Sequence, residues 1–340
     1  MTDPESIDFD YYEPPSIKPS FATWVKHVLL LGVTFCTVTL AGTLFPFGPF
    51  QTLPDADPQT ANEIFQMLLL LPVKYAGLIA DAVNALFTQP GYLRHGLSFS
   101  ISLLFILISH EMGHYIACRL YKVNATLPFF LPTPPMVGPA GTFGAFIKIL
   151  SPMPSRRAVF DIGVAGPIAG FIALIPVAVI GIATMEPATP QQLATPSGLV
   201  FADPLFLRSL GWMFGHDPAL GVGNAFYFAA WVGLLVTALN LIPSGQLDGG
   251  HAIYAVFGER VHYWTGRIAF PVMATLSVLG MYLYSSPSGF LIAIILGIMM
   301  RIRHPEPWDQ APLDGKRKFI AVLTMVIFIL CFVPFPIQLN

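Results

Sequence analysis

Apolar residues in this chain gather into long runs separated by short polar segments, at roughly 22–46, 95–120, 157–185, 222–247, 267–285, 287–301 and 318–335. A bilayer core is about 30 Å thick and a helix rises about 1.5 Å per residue, so about 20 consecutive apolar residues make one crossing. The pattern therefore predicts an all-α polytopic membrane protein with about 6–8 transmembrane helices, seven being the working count. One further apolar stretch, 63–88, is interrupted by Pro72, Lys74 and Asp81. It is expected to lie at the interface or re-enter the membrane, and to span it only as the alternative. After the second run, Pro128, Pro132, Pro134, Pro135 and Pro139 lead into Gly141-Thr-Phe-Gly-Ala-Phe-Ile-Lys-Ile149. Threonine, isoleucine and aromatic residues bounded by turn formers predict a short strand or hairpin beside the membrane over 141–149.

Composition sharpens this picture. The chain is 54% hydrophobic and 11% charged, with a mean hydropathy of +0.66, whereas a soluble domain carries about 25% charged residues. A net charge of −2 lacks the basic excess of a nucleic-acid binder, so none is expected as a partner; the lipid bilayer and membrane proteins are. Residues 1–21 hold Asp3, Glu5, Asp8, Asp10 and Glu13 among prolines, which predicts a disordered acidic tail. Such a tail is the reverse of a signal peptide's basic start, so the first run is expected to remain as an anchor. Of the 17 Lys and Arg residues, 14 fall on one side of the seven-span topology and only Lys74, Arg94 and Arg208 on the other. The positive-inside rule then places the N-terminus in the cytoplasm; if 63–88 spans, only Lys18 and Lys26 change sides. Cys36, Cys118 and Cys331 are too far apart for a readable disulfide or metal framework and are expected to pack.

The chemistry concentrates at His110-Glu111-Met112-Gly113-His114, near the cytoplasmic end of the second run. Residues i and i+4 share a helix face, so both imidazoles can reach one Zn²⁺, and Glu111 is placed to take a proton from water beside the metal. Ionisable side chains are costly inside a membrane, which argues against three in five positions as mere packing. Catalytic zinc takes three protein ligands and leaves a position open, so a third donor is needed. Asp248 is the candidate: it ends the fourth run, in Asn240-Leu-Ile-Pro-Ser-Gly-Gln-Leu-Asp248-Gly249, on the same side as the histidines. Asn240, two helical turns earlier, is read either as a hydrogen-bond donor to substrate or oxyanion, or as an interhelical contact. His251 is read as an interfacial residue, with a supporting role beside the metal as the alternative. Gly141, Thr142, Phe143 and Gly144 are expected to hold an unwound substrate by β-augmentation, since a helix hides its peptide bonds, with a capping hairpin that only covers the site as the alternative. Gly166 and Gly170 form a small-xxx-small pair suited to close helix packing, with direct contact to the site secondary.

The two motifs, His110-Glu-Met-Gly-His114 and Asn240-x-x-Pro243-x-x-x-Leu247-Asp248-Gly249, resemble those of the site-2 proteases, a family of intramembrane zinc metalloproteases. The likeness extends to Gly166-Pro-Ile-Ala-Gly170, where many members carry Asn at the last position, and to the Gly-Thr-Phe-Gly-Ala-Phe strand, covering roughly 95–255. That region would form a catalytic core of three transmembrane helices, preceded over 22–94 by the first anchor and the interfacial segment and followed over 256–340 by C-terminal helices. The gaps near 121–156 and 186–221 are too short for an inserted domain, as in the branch without PDZ domains, which has chloroplast and bacterial members. The resemblance implies one zinc per chain and regulated intramembrane proteolysis of membrane-anchored substrates. A bacterial inner membrane suits the orientation, and an organelle membrane is the alternative. Two rivals remain: a metal transporter, which should spread its polar residues along a route, and a non-proteolytic chaperone or regulator, which should have lost Glu111.

Overall fold

The computed structural model describes residues 19–50, 59–194, 198–300, 302 and 306–339; most of the acidic tail lies outside them. Each of the seven long apolar runs contains a helix. These are α1 (Phe21–Thr43), α3 (Pro90–Leu120), α4 (Arg156–Ala183), α7 (Ala225–Leu241), α9 (Glu259–Tyr284), α10 (Ser288–Met299) and α11 (Gly315–Cys331). The interrupted stretch is a continuous helix as well, α2 (Ala61–Thr88), which runs through Pro72 and starts in a capping box between Thr60 and Glu63. Among the described residues α1, α2, α3, α4 and α9 are long and apolar enough to cross a membrane. Shorter helices complete the set: α5 (Pro190–Ala194), α6 (Leu205–Phe214) and α8 (Asp248–Phe257). The protein is thus a mostly helical polytopic membrane protein.

The core lies where α3, α4 and α7 meet, around Phe99, Leu103, Ile106, Leu174, Ile182, Trp231 and Leu234. Helices α3 and α4 approach so closely that a methyl group at Gly113 would lie 2.4 Å from the carbonyl oxygen of Ala165. Helix α1 packs on α3 with a hydrogen bond from Thr39 Oγ1 to Ser100 Oγ (2.8 Å), which satisfies two hydroxyls away from water.

Short strands cap the bundle. β1 (Phe129–Pro132) and β2 (Thr142–Phe146) form an antiparallel hairpin with Phe130 opposite Ala145 and an irregularity before Pro132, so the predicted strand is present. Two further pairs are β3 (Glu186–Pro187) with β5 (Gly221–Val222), and β4 (Leu199–Phe201) with β6 (Ile337–Leu339). At the histidine-motif end, Arg317 of α11 donates to Asp161 of α4 (2.6 and 2.9 Å) and to Tyr121 at the end of α3 (3.0 Å). One guanidinium therefore joins three helices. Cys118 and Cys331 are buried, Cys36 is exposed, and all three are free.

Candidate metal centre

Helix α3 carries His110 and His114 one turn apart on one face, their ring centroids 4.9 Å apart. The two Nε2 atoms are separated by 3.2 Å, and Asp248 Oδ2 lies 3.3 Å from each. The three side chains predicted to share a metal therefore meet at one point, with their donor atoms within 4.8 Å of one another. A tetrahedral ion with bonds of about 2.0–2.2 Å sets its donors about 3.3 Å or slightly more apart. The observed triangle has that size.

The surroundings of His114 suit a metal ligand as well. His114 Nδ1 is 2.7 Å from the carbonyl oxygen of Ile162, and a carbonyl only accepts, so Nδ1 carries the hydrogen. When neutral, that ring presents its Nε2 lone pair beside the Asp248 carboxylate, as two ligands of one cation do; when protonated, it pairs with that carboxylate directly. The Ile162 carbonyl also fixes the tautomer and orientation of a metal-ligating imidazole.

Asp248 arrives by a different route from the one predicted. The fourth apolar run was expected to continue as helix to that residue, but α7 ends at Leu241 and the chain doubles back over Ile242–Leu247 before Asp248 opens α8. Pro243 cannot continue the ladder of hydrogen bonds, and Gly245 takes a left-handed φ of +55°. At Gly249 a methyl group would stand 2.0 Å from the Leu241 carbonyl oxygen, so the return is as tight as backbone allows. At its other end α8 is capped by Arg156, whose Nε donates to the Ala255 carbonyl (2.7 Å) and whose guanidinium also reaches Tyr254 (3.4 Å). A cation there satisfies the carbonyls left open at a helix end.

Glu111 is 6% exposed, and the backbone amide of Ile147, one residue past β2, faces its carboxyl. The hairpin thus touches the motif directly. Asn240 places Nδ2 3.4 Å from His110 Nε2, which brings its amide beside the metal position although no helix connects it to Asp248. His251 sits one turn into α8 and packs its Cβ against Gly163 of α4.

Gly141 lies in the turn before β2, where Thr37 Oγ1 of α1 donates to its carbonyl (2.8 Å). Thr142 is buried and its hydroxyl donates to the Leu131 carbonyl (2.9 Å). The same hydroxyl accepts the N–H of Gly144 (3.0 Å). Phe143 points outward, 68% exposed. Tyr75 of α2 holds the hairpin loop by a hydrogen bond to the Pro135 carbonyl (2.9 Å). With β1 on one side, the other edge of β2 has no strand partner among the described residues.

The contribution of α4 was the least visible beforehand. A Cβ at Gly166 would lie 2.1 Å from His114 Nε2, and one at Gly170 would lie 3.1 Å from His110 Cβ. Close packing and direct contact with the site are therefore one feature, because the surface packed upon is the pair of imidazoles. The Gly166-x-x-x-Gly170 spacing was the available signal; the Ile162 carbonyl and the Ile147 amide left none, being backbone groups.

Residues 98–281, just over half of the sequence, match the profile of peptidase family M50. The chain belongs to peptidase family M50. M50 membership fits the two motifs, both inside the matched stretch. The sequence is 27% identical over 250 residues to a probable zinc metalloprotease EGY1, chloroplastic, of Oryza sativa subsp. japonica, covering 72% of this chain and 41% of that protein. It is 28% identical over 249 residues to the protein of that name from Arabidopsis thaliana (70% and 43%). A probable zinc metalloprotease EGY2, chloroplastic, of Oryza sativa subsp. indica matches at 25% over 281 residues (74% and 50%). This M50 chain thus spans between two fifths and half of the length of these relatives.

Proposed function

We propose that this chain is an intramembrane zinc metalloprotease that hydrolyses peptide bonds of membrane-anchored proteins, a step of regulated intramembrane proteolysis. The observation that carries the reading is the triangle of His110 Nε2, His114 Nε2 and Asp248 Oδ2, with edges of 3.2–3.3 Å, both histidines buried and Glu111 beside it. Family membership and the clustering of these polar residues at one depth favour a peptidase over a transporter, and the presence of Glu111 favours it over a non-catalytic regulator.

When bound, zinc supplies Lewis acidity, which lowers the pKa of water toward neutrality and polarises a carbonyl. His110, His114 and Asp248 would hold the ion. Glu111 takes the proton from the attacking water and delivers it to the leaving amine. Asn240 presents an amide N–H group to the oxygen on which negative charge develops. The free edge of β2 receives the substrate as an added strand, Gly141, Thr142, Phe143 and Gly144 supplying backbone and surface for it. Because the Gly144 N–H is already taken by Thr142 Oγ1, pairing at that residue requires the threonine hydroxyl to turn away. His251 supports α8 by its contact with α4.

The bias of Lys and Arg favours a cytoplasmic N-terminus if 63–88 does not cross, with the active site toward the same side. The relatives are named as chloroplastic, which supports the organelle alternative over the bacterial inner membrane.

The test pairs zinc content with cleavage of single-span substrates in detergent. Wild type is expected to hold about one zinc and to cut, Glu111→Gln to keep the metal without cutting, and Asp248→Ala to lose affinity. A protein that takes up no zinc under metal-replete conditions would sink the protease reading.

A further inference from the structure

Asp248 opens α8 directly after the loop Ile242–Leu247, so the course of that loop sets where its carboxylate stands. Two backbone hydrogen bonds brace the loop internally, Ser244 N to Ile242 O (2.8 Å) and Leu247 N to Ser244 O (3.2 Å). The N-cap residue of α8, Leu247, has no side chain able to cap. The middle of the loop is gripped from outside, by α9. His262 is buried, and its Nε2 lies 2.8 Å from the carbonyl oxygen of Gly245. A carbonyl only accepts, so the imidazole donates. Gly245 is also the residue at φ +55°, which means that the external hydrogen bond falls on the apex of the reversal. One turn further along α9, Gly266 leaves room for the buried Ser244, whose Oγ would be 3.3 Å from a methyl group there. The ring of His262 packs edge-on to Tyr254 of α8, with centroids 6.0 Å apart. Helix α9 thus touches both the loop before Asp248 and the helix after it.

We propose that His262 is a positioning residue for the metal centre: its Nε2–H, bonded to the Gly245 carbonyl, sets the loop that presents the Asp248 carboxylate to the two histidines. The inference rests on the reading of His110, His114 and Asp248 as a zinc site. The hydrogen bond stands three residues from Asp248, and a ligand triangle with edges of 3.2–3.3 Å has no slack to absorb a displaced apex. Loss of a partner that orients a metal ligand costs about 10–100-fold in affinity.

The experiment measures zinc affinity of the full chain in detergent micelles by competition with a chromophoric chelator, zinc alone being the probe. The His262→Gln variant keeps an N–H at about the place of Nε2. His262→Asn keeps an amide that falls short, and His262→Met keeps the bulk without a donor. Gln is expected within about threefold of wild type, and Asn and Met weaker by about 10–100-fold. X-ray absorption on the zinc-loaded Asn and Met proteins is expected to show loss of the carboxylate oxygen with both nitrogens retained. Comparable affinity in Asn, Met and wild type overturns the proposal, as does a Gln variant as weak as Met. Asn preserves a polar side chain at the site, so the comparison of Gln with Asn decides the matter even where Met fails to fold. Wild type and Asp248→Ala are run alongside. If wild type holds zinc and Asp248→Ala holds it equally well, it is the assignment of Asp248 that fails, and the proposal falls with it; if only the His262 series is flat, the zinc site stands without the clamp.

Discussion

At the scale of single residues, the site is defined as much by what α4 omits as by what α3 and α8 supply. Gly166→Ala would put a methyl carbon 2.1 Å from His114 Nε2, closer than any non-bonded contact permits. The imidazole or the helix must move. Zinc affinity is expected to fall by roughly 100-fold or more, with the protein still monodisperse, checked by zinc content after gel filtration. Gly170→Ala meets His110 Cβ at 3.1 Å and Nδ1 at 3.2 Å, a distance that shifts of a few tenths of an ångström relieve. It is expected to keep zinc and to lose less than about tenfold in cleavage. Unchanged zinc affinity in Gly166→Ala would mean that α4 does not shape the imidazole positions. Much of the ligand set was legible from spacing, because i and i+4 on a helix is a geometric statement. The partners of those ligands were not. The Ile162 carbonyl, the Ile147 amide and the Gly245 carbonyl belong to backbone that every residue carries, so only the packing of α4, the hairpin and α9 singles them out.

Between residues and the molecule stand the elements, and here hydrophobic runs located helices well and their ends badly. The fourth run stays apolar through Ile242, Pro243 and Leu247, but proline and a left-handed glycine break the helix at Leu241. Hydropathy does not register backbone geometry. Conversely, Pro72 reads as an interruption of the apolar stretch 63–88, yet α2 continues through it, since a proline removes one hydrogen bond and bends a helix without always ending it. The attachment of α11 is testable. Arg317 reaches Asp161, Tyr121 and, through a short ion pair, Asp314. Arg317→Met is expected to destabilise by about 1–2 kcal/mol, since charge-assisted hydrogen bonds contribute in that range and partial exposure screens them. The measurement is a thermal melt at neutral pH. Asp314 adds a pH dependence at the same junction. The backbone N–H of Arg317, more than its side chain, holds the Asp314 carboxyl below its ordinary value of 3.8. A depressed carboxylate contributes stability that is fully present above the ordinary value and is lost as pH falls through the lower one. The melting difference between wild type and Asp314→Asn should therefore narrow under acid below 3.8, and a difference that widens there would contradict the assignment.

For the molecule as a whole, the stretch that matches M50 begins at residue 98, yet the hairpin within it is fastened by helices that precede it. Thr37 of α1 holds Gly141, and Tyr75 of α2 holds Pro135. Thr37→Val and Tyr75→Phe are each expected to lower kcat/KM by about fivefold, the equivalent of one hydrogen bond of about 1 kcal/mol, with zinc affinity unchanged. A parallel fall in zinc content would show instead that these helices support the metal site. Chelation probes the opposite dependence. Removing zinc should abolish cleavage reversibly, and it should lower stability by about 3 kcal/mol relative to protein held at zinc a hundredfold above Kd, because an ion at the proposed site would join α3 to α8. The general architecture, a helical bundle with a motif-bearing second run and a β-hairpin beside it, was legible in the sequence; the bracing of that hairpin by α1 and α2 was not, since it depends on contacts between hydroxyls and carbonyls far apart in the chain.

The notch at Gly166 bears on how members of such a family diverge. All three proposed ligands, Glu111 and both signature motifs can stay intact while one added methyl group, on a helix that supplies none of those ligands, closes the space that His114 occupies. Activity can then be extinguished by a single-nucleotide change that a survey of ligand motifs passes over, and inactive homologues should be sought among sequences that still look complete.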